Sequence, residues 1–203
     1  MKINLKYYRS GLLIPLIGVL WIGTSWVLSK FWGYGLLQGL GPTSIIIFFL
    51  WIYDKYLWKC PVLKLLITAP NISGRYSGIL ETTWQKEIKR VRCITTVKQT
   101  ASTIKIQCEF IKDDENNTES ISKEAFISFD EVGDPSLYFY YQNQGSCLNN
   151  DTLNQHDGMN VLKIIKNKKQ IQLKGYYFTN RDPQTQGKIT LNKIIKEKNN
   201  EYS

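Results

Sequence analysis

Histidine is almost missing from this chain of 203 residues, since His156 is the only one. The four cysteines, Cys60, Cys93, Cys108 and Cys147, form no C-x-x-C pair and show no metal-ligand spacing. Those absences leave no metal site to build and make free thiols the expected state. A P-loop and a G-x-S-x-G elbow are also missing. The acidic run Asp113-Asp114-Glu115 reads as a solvated turn and not as a converging carboxylate pair. His156 is expected in a polar loop beside Asp157 and Gly158. Nothing here pairs a nucleophile with a base, so the chain is read as a non-enzyme that calls for no cofactor.

Acidic charge is missing from the whole first quarter, where no Asp or Glu precedes Asp54. Two stretches carry no charge at all, Ser10 to Ser29 and Phe31 to Tyr53, parted by Lys30. A hydrocarbon core about 30 Å thick needs about 20 mostly apolar helical residues, and both stretches reach that length. The expectation is a transmembrane hairpin with helices over about 10–29 and 35–58. No small-x-small cleavage site follows the first stretch, which makes it a retained anchor and not a removed leader. No ionisable residue stands mid-span, which argues against a transporter or proton path. Lys2, Lys6 and Arg9 precede the pair and Lys55, Lys59 and Lys64 follow it. Both termini and the soluble part are thus expected in the cytoplasm, with the turn outside. Gly11, Gly18 and Ser25 recur every seven residues on one face of the first helix, where the second helix is expected to pack; contact between protomers is the alternative.

The net charge of +9 divides into +5 for residues 1–60 and +4 for the remainder. Much of it is juxtamembrane charge suited to a lipid bilayer. The later lysines alternate along strands without clustering, which leaves no stripe for DNA or RNA.

Beyond residue 73 no ten-residue amphipathic helix interrupts the chain, and the apolar period falls to two. Ile104, Ile106, Cys108 and Phe110 alternate with Lys105, Gln107 and Glu109, as in a strand with one buried face. Strands are expected over 74–83, 90–99, 103–111, 119–130, 137–142, 159–166, 170–179 and 188–196. Turn residues separate them at Asp113–Asn117, Gly133-Asp134-Pro135 and Asn167-Lys168-Lys169. Eight short strands with tight connections predict a membrane-anchored all-β protein whose soluble domain is a small antiparallel up-and-down β-barrel. The expected organisation is a hairpin over 1–60, a linker over 61–73, the cytosolic barrel over 74–198 and a tail over 199–203.

The soluble part holds four arginines, Arg75, Arg90, Arg92 and Arg181, on a lysine-rich background with many aromatics. The planar guanidinium fork grips phosphate bidentately and aromatic faces stack nucleobases. A cup lined by both suits a compact nucleotide with two phosphates. The candidate ligand-binding residues are Tyr76, Trp84, Arg92, Tyr138, Tyr140, Tyr177 and Arg181.

The barrel would open on Ile72-Ser73-Gly74-Arg75-Tyr76-Ser77-Gly78 and close on Leu173-Lys174-Gly175-Tyr176-Tyr177-Phe178, running through Arg181 to Gly187-Lys188-Ile189-Thr190-Leu191. With two membrane helices in front, this order of parts resembles the transmembrane β-barrel effectors of cyclic-oligonucleotide-based anti-phage signalling (CBASS). Their sensor is the SMODS-associated β-barrel domain. Tyr76, Tyr177 and Arg181 fall in the resembling segments; Trp84, Arg92, Tyr138 and Tyr140 rest on their chemistry alone. The resemblance implies a receptor in the bacterial inner membrane. A partner nucleotidyltransferase makes a cyclic dinucleotide, the activating ligand. The barrel binds it, the protein self-associates, and its helices disrupt the membrane to abort infection. Two other readings remain: a membrane-tethered lipocalin-like barrel for a lipid or other hydrophobic ligand, and an assembly module with no ligand.

Overall fold

The computed structural model describes residues 4–32, 37–84, 87–111, 118–143, 156–167, 170–181 and 184–194. It divides into two units, Met1–Asn71 with Thr100–Thr103, and Ile72–Gln99 with Ile104–Ser203.

In the first unit, the uncharged stretches form helices α1, Ser10–Trp32, and α2, Leu37–Lys55. Two hydroxyls in α1 are satisfied by its own backbone: Thr24 Oγ1 donates to Leu20 O at 2.7 Å and Ser29 Oγ to Trp26 O at 2.8 Å. A helix surrounded by hydrocarbon requires that self-sufficiency. Ile14 (68% exposed) and Ile22 (71%) stand out with Leu12, Val19 and Trp26. So much uncovered apolar surface on one helix marks a membrane or partner surface. Lys30 lies 4.3 Å over the Trp26 ring and Lys55 4.6 Å over Trp51, amphipathic pairs of the kind that mark an interface.

Among the described residues one helix, over Ser10–Lys30, is long and apolar enough to cross a membrane. The second expected span is a helix without being such a candidate. Its described charge-free part, 37–53, covers only about 25 Å at 1.5 Å per residue, and Gln38, Gly39, Gly41, Pro42 and Thr43 dilute its first half. The small-residue face of α1 also differs from expectation. A Cβ at Gly11 or Gly18 would meet nothing within 4 Å, whereas one at Gly41 of α2 would lie 3.0 Å from Leu28 Cδ1. Leu13, Ile17, Thr24 and Leu28 form the covered face of α1, about a third of a turn from the glycines at 100° per residue.

Residues 61–73, expected as a linker, carry a 3-10 turn at Leu63–Leu66 and the buried Ile67, Ala69 and Ile72. An isolated bridge pairs Tyr8 with Ile67, supported by Arg9 N–H donating to Leu66 O (2.9 Å) and Thr68 N–H to Tyr7 O (2.9 Å). The Tyr8 hydroxyl donates to buried Asp54 Oδ1 at 3.5 Å.

The second unit is the expected barrel. Its strands are β1 Gly74–Trp84, β2 Glu87–Gln99, β3 Ile104–Ile111, β4 Thr118–Phe129, β5 Pro135–Asn143, β6 His156–Asn167, β7 Gln170–Thr179 and β8 Gln186–Lys193. Each pairs antiparallel with the next, and β1 closes on β8 from Tyr76↔Lys193 to Thr82↔Gly187. Closure leaves no sheet edge. It also demands close backbone approach at the seam, where a Cβ on Gly78 would collide with the Thr190 carbonyl and lie 2.8 Å from Leu191 Cα. That is the physical reason for a glycine in the Tyr76-Ser77-Gly78 opening.

Two features escaped the alternation rule. In β4 the register shifts between Ser122 and Glu124, so both Ser122, opposite Tyr141, and Ala125, opposite Phe139, fall on the inner side. Ser122 Oγ accepts from Ile106 N–H at 2.8 Å, standing in for the carbonyl that this bulge displaces. His156 does not lie in a loop: it opens β6, opposite Asn143.

Inside, the barrel is filled at one end and hollow at the other. The filled end packs Tyr76, Val97, Ile104, Ile106, Ile127, Leu137, Ile164 and Leu173, all buried. The outer face of β4–β7 carries an apolar row through Phe126, Tyr138, Val161 and Tyr176, with Phe126 and Tyr138 stacked at 5.2 Å between ring centroids.

Candidate functional site

The hollow end encloses a cavity of about 550 Å³, within the range of about 300–1,000 Å³ typical of small-molecule sites. Pairing register sets the levels of its wall. Asn143 faces His156 at the mouth; Tyr141, Gly158 and Thr179 follow; then Phe139, Asn160 and Tyr177; then Leu137, Leu162 and Gly175. Thr95, Cys93, Cys108 and Ser120 line the opposite wall, and Leu80, Leu162, Ile189 and Leu191 form an apolar floor. The ends of β1, β3, β5 and β7 and the starts of β2, β4, β6 and β8 converge on this hollow half.

Most polar groups in the wall are partnered. Asn143 Nδ2 donates to Ser120 Oγ at 2.9 Å, and the Thr179 and Thr185 hydroxyls share a hydrogen bond of 2.9 Å. The Tyr177 hydroxyl donates to Thr82 Oγ1. Thr95 Oγ1 donates to Cys108 Sγ at 3.4 Å and lies 3.4 Å from Cys93 Sγ. Tyr141 meets His156 nearly edge-on, at 6.5 Å between centroids and 81° between planes. Gly158 makes room for that ring, because a Cβ there would lie 2.5 Å from Tyr141 Cζ and 2.7 Å from Phe178 O.

The cavity is weakly cationic. Arg181, half-buried, and the more exposed Lys89, Arg90 and Arg92 belong to its lining. Burial pushes the Arg181 guanidinium down from its ordinary value, opposed by Tyr141 and Tyr177; a guanidinium nevertheless stays charged at neutral pH. Arg90 Nε is engaged with Glu81 Oε1 at 3.0 Å. Burial pushes the Tyr141 hydroxyl well above its ordinary value, with smaller contributions from Tyr177 and Cys108, and burial raises Tyr177 as well. Both phenols are therefore neutral donors at physiological pH. Cys108 is also raised, first by its hydrogen bond with Cys93 and then by burial, which makes it an inert thiol. The arrangement offers stacking faces, neutral donors and a few guanidinium and ammonium groups. It can hold a flat, polar anion.

Of the seven expected residues, the structure brings Arg92, Tyr177 and Arg181 to the cavity. Tyr76 is fully buried in the filled end, its hydroxyl donating to Ile72 O at 2.7 Å. Tyr138 and Tyr140 stand on the outer face, Tyr138 stacked on Phe126 and Tyr140 donating to Asp157 Oδ2. The side chain of Trp84, the last residue of β1, lies outside the described residues. Strand period explains the exchange in β5: with Leu137 inward, Phe139 and Tyr141 face the cavity and Tyr138 and Tyr140 face away. Four consecutive aromatics hide that parity, although Leu137, two residues before Phe139, and Asn143, two after Tyr141, mark it. His156 and Asn160 were also missed, for the polar run before them masks the start of β6.

Residues 67–193 match the family model described as Cap15, cyclic dinucleotide receptor domain, over more than half of the chain. The match contains all eight strands and the whole cavity lining. No curated protein sequence matches the chain.

Proposed function

This chain belongs to the Cap15 cyclic dinucleotide receptor family, and from that premise we propose that it is a CBASS effector whose barrel binds a cyclic dinucleotide as the signal for action at a membrane. The observation that carries the reading is the hollow end of the barrel, within the matched residues. There Phe139, Tyr141 and Tyr177 supply stacking surface, and Arg181 with Lys89 and Arg92 supplies charge for two phosphates. A receptor domain needs no catalytic constellation. The ligand is delivered by a partner nucleotidyltransferase and is the only small molecule the mechanism requires.

The output belongs to the helical unit. α1 crosses the inner membrane and the whole uncharged stretch Phe31 to Tyr53, longer in sequence than the described part of α2, returns across it, with both termini and the barrel in the cytoplasm and the turn outside. Exposed apolar surface on α1 and lysines at both ends of the pair support this orientation. Ligand binding favours barrel self-association, and copies confined to one bilayer begin at high effective concentration. The apolar row Phe126, Tyr138, Val161 and Tyr176 supports association through the outer face of β4–β7. The assembled helices then disrupt the bilayer.

Calorimetry on the full chain in detergent tests the receptor step, with a cyclic dinucleotide panel in one arm and a fatty acid in the other. Micromolar or tighter binding of a dinucleotide, weakened by Arg181→Ala, is the expected result. Saturable binding of the fatty acid alone would replace the reading with a lipocalin-like carrier. Dye leakage from vesicles bearing the protein, started by dinucleotide, tests the membrane step; leakage indifferent to ligand would sink it.

A further inference from the structure

A hairpin turn ordinarily lies at the surface, where water satisfies its backbone. The turn that joins β2 to β3, Thr100–Thr103, is buried at its tip: Ala101 is 0% exposed and Ser102 is buried as well. These four residues group with the helical unit, not with the strands they connect. Internally the turn is complete. Thr100 N–H donates to Thr103 O at 2.9 Å, the two threonine hydroxyls share a hydrogen bond of 2.9 Å, and Thr103 N–H donates to Thr100 Oγ1 at 3.1 Å. It can move as one piece.

What seats it is slight. Ala101 N–H donates to the carbonyl oxygen of Asp54 at 3.0 Å, and Asp54 is the last residue but one of α2. That oxygen is one of the four that a helix leaves unpaired at its C-terminus, so the turn caps α2. The Ser102 hydroxyl, next in sequence, is buried with no partner. Asp54 itself is costly. Its side chain is 6% exposed and stands at the end of a helix where the macrodipole disfavours a carboxylate. Among the described residues it joins no salt bridge, and the bond it accepts from the Tyr8 hydroxyl is long, at 3.5 Å. Burial first and Asp54 second push that hydroxyl well above its ordinary value, which keeps it a neutral donor. Asp54 thus touches the turn through its backbone and the lead-in to α1 through its side chain.

Unseating the turn gives up one backbone hydrogen bond and the burial of a methyl group, each about 1 kcal/mol. It returns the Ser102 hydroxyl and the Asp54 carboxylate to water, a gain of similar size. A contact so evenly balanced is decided by small biases. The cavity can supply one. Thr95 and Cys108 face each other in the register and line the cavity, each five residues from the turn, about 16 Å of strand at 3.3 Å per residue. From Arg92↔Ile111 to Gln99↔Ile104 the two strands pair without a register shift, a stiff lever between the cavity wall and the turn.

Resting on the receptor reading above, we propose that the β2–β3 turn is an autoinhibitory latch: seated on Asp54 it holds α2 and the lead-in to α1 at rest, and a ligand that fills the cavity draws β2 and β3 so that the turn leaves Asp54 and the helices are freed.

Hydrogen exchange on the full chain in detergent tests the latch without any substitution. The amides of residues 100–103 should be protected in the ligand-free protein and exchange about tenfold faster or more with saturating dinucleotide, while the strands stay protected. Protection that ligand leaves unchanged or increases would overturn the proposal. A variant adds the output. Ala101→Glu puts a second carboxylate into the buried contact and should expel the turn, leaving an exposed four-residue hairpin loop of an ordinary kind. Vesicles bearing it should leak without dinucleotide. Because coupling is reciprocal, a ligand that favours release must bind this variant at least as tightly as wild type. A folded Ala101→Glu protein that stays silent without ligand, or that binds it more weakly, would overturn the latch; should the variant fail to fold, the exchange measurement decides alone. If wild type binds no dinucleotide the receptor reading itself falls; if it binds and leaks while the turn stays protected, only this inference does.

Discussion

Gly158→Ala is the smallest change that should deform the cavity. The added Cβ would lie 2.5 Å from Tyr141 Cζ and 2.7 Å from the Phe178 carbonyl oxygen. Real carbon contacts sit near 3.5–4.0 Å, so about 1 Å of space must be found. Tyr141 is 5% exposed, flanked by Phe139 at 6.3 Å between centroids, and cannot swing freely. The Phe178 oxygen belongs to the paired backbone of β7 and is stiffer still. Overpacking of this kind costs about 1–3 kcal/mol. For a chain of 203 residues that corresponds to a fall of roughly 2–12 °C in Tm, at about 2–4 °C per kcal/mol. Thermal melts followed by circular dichroism in detergent read it directly. Tyr141→Ala in the same background removes the ring and should restore part of the loss, a coupling the double-mutant cycle isolates. Dinucleotide affinity should fall as well, because the displaced ring moves into the cavity. A Gly158→Ala protein that melts within about 1 °C of wild type, with unchanged affinity, would refute the placement of Tyr141 against β6.

Tyr138→Ala should cost about 0.5–1.5 kcal/mol beyond lost area through its stack on Phe126. At protein concentrations too low for copies to associate, it should leave dinucleotide affinity unchanged in calorimetry, because the ring stands on the outer face. Tyr76 and Tyr141 are held protonated in the fold, chiefly by burial, while the unfolded chain ionises near pH 10. Above that pH the unfolded state binds fewer protons than the folded one. Stability from urea melts should accordingly fall at up to about 1.4 kcal/mol per pH unit for each tyrosine above pH 10; a rise there would contradict their burial. Gly18→Leu meets no neighbour in the fold, so it should leave barrel melting unchanged while reducing ligand-started vesicle leakage if that face joins copies; equal leakage would remove Gly18 from the assembly surface.

The barrel was legible because its commonest strand pattern is unambiguous. Ile104, Ile106 and Cys108 alternate with polar residues and face inward as expected, and the turn at Gly133-Asp134-Pro135 separates β4 from β5 as expected. The site was legible only in composition. Aromatics and arginines do line the cavity, but which aromatic faces inward depends on a parity that Tyr138-Phe139-Tyr140-Tyr141 does not reveal. Arg92, expected from its chemistry, and Tyr76, expected from the resemblance, show what position along a strand adds. Arg92 shares the outward parity of Ile94 in β2 and reaches the cavity only at its rim, whereas Tyr76 points inward but into the filled end. The β4 bulge carries no local signal, because neither Gly nor Pro marks Lys123.

The division of the barrel into a packed end and a hollow end is compatible with the proposed function, in which a small ligand changes the state of the whole protein. The packed end buries Leu137, Ile127, Leu173 and Tyr76 against one another. The hollow end encloses the cavity of about 550 Å³. A ligand that fills the hollow end binds the folded barrel and not the unfolded chain, adding about 2.7 kcal/mol of stability at a hundred times its Kd. Against a total stability of about 5–15 kcal/mol this is a substantial shift, yet it leaves the empty barrel folded and ready. The same 2.7 kcal/mol, if it distinguishes an associating from a non-associating barrel, changes their ratio about 100-fold. On the proposed function, ligand could thus switch assembly without any large rearrangement of strands, provided its contacts differ between the two states.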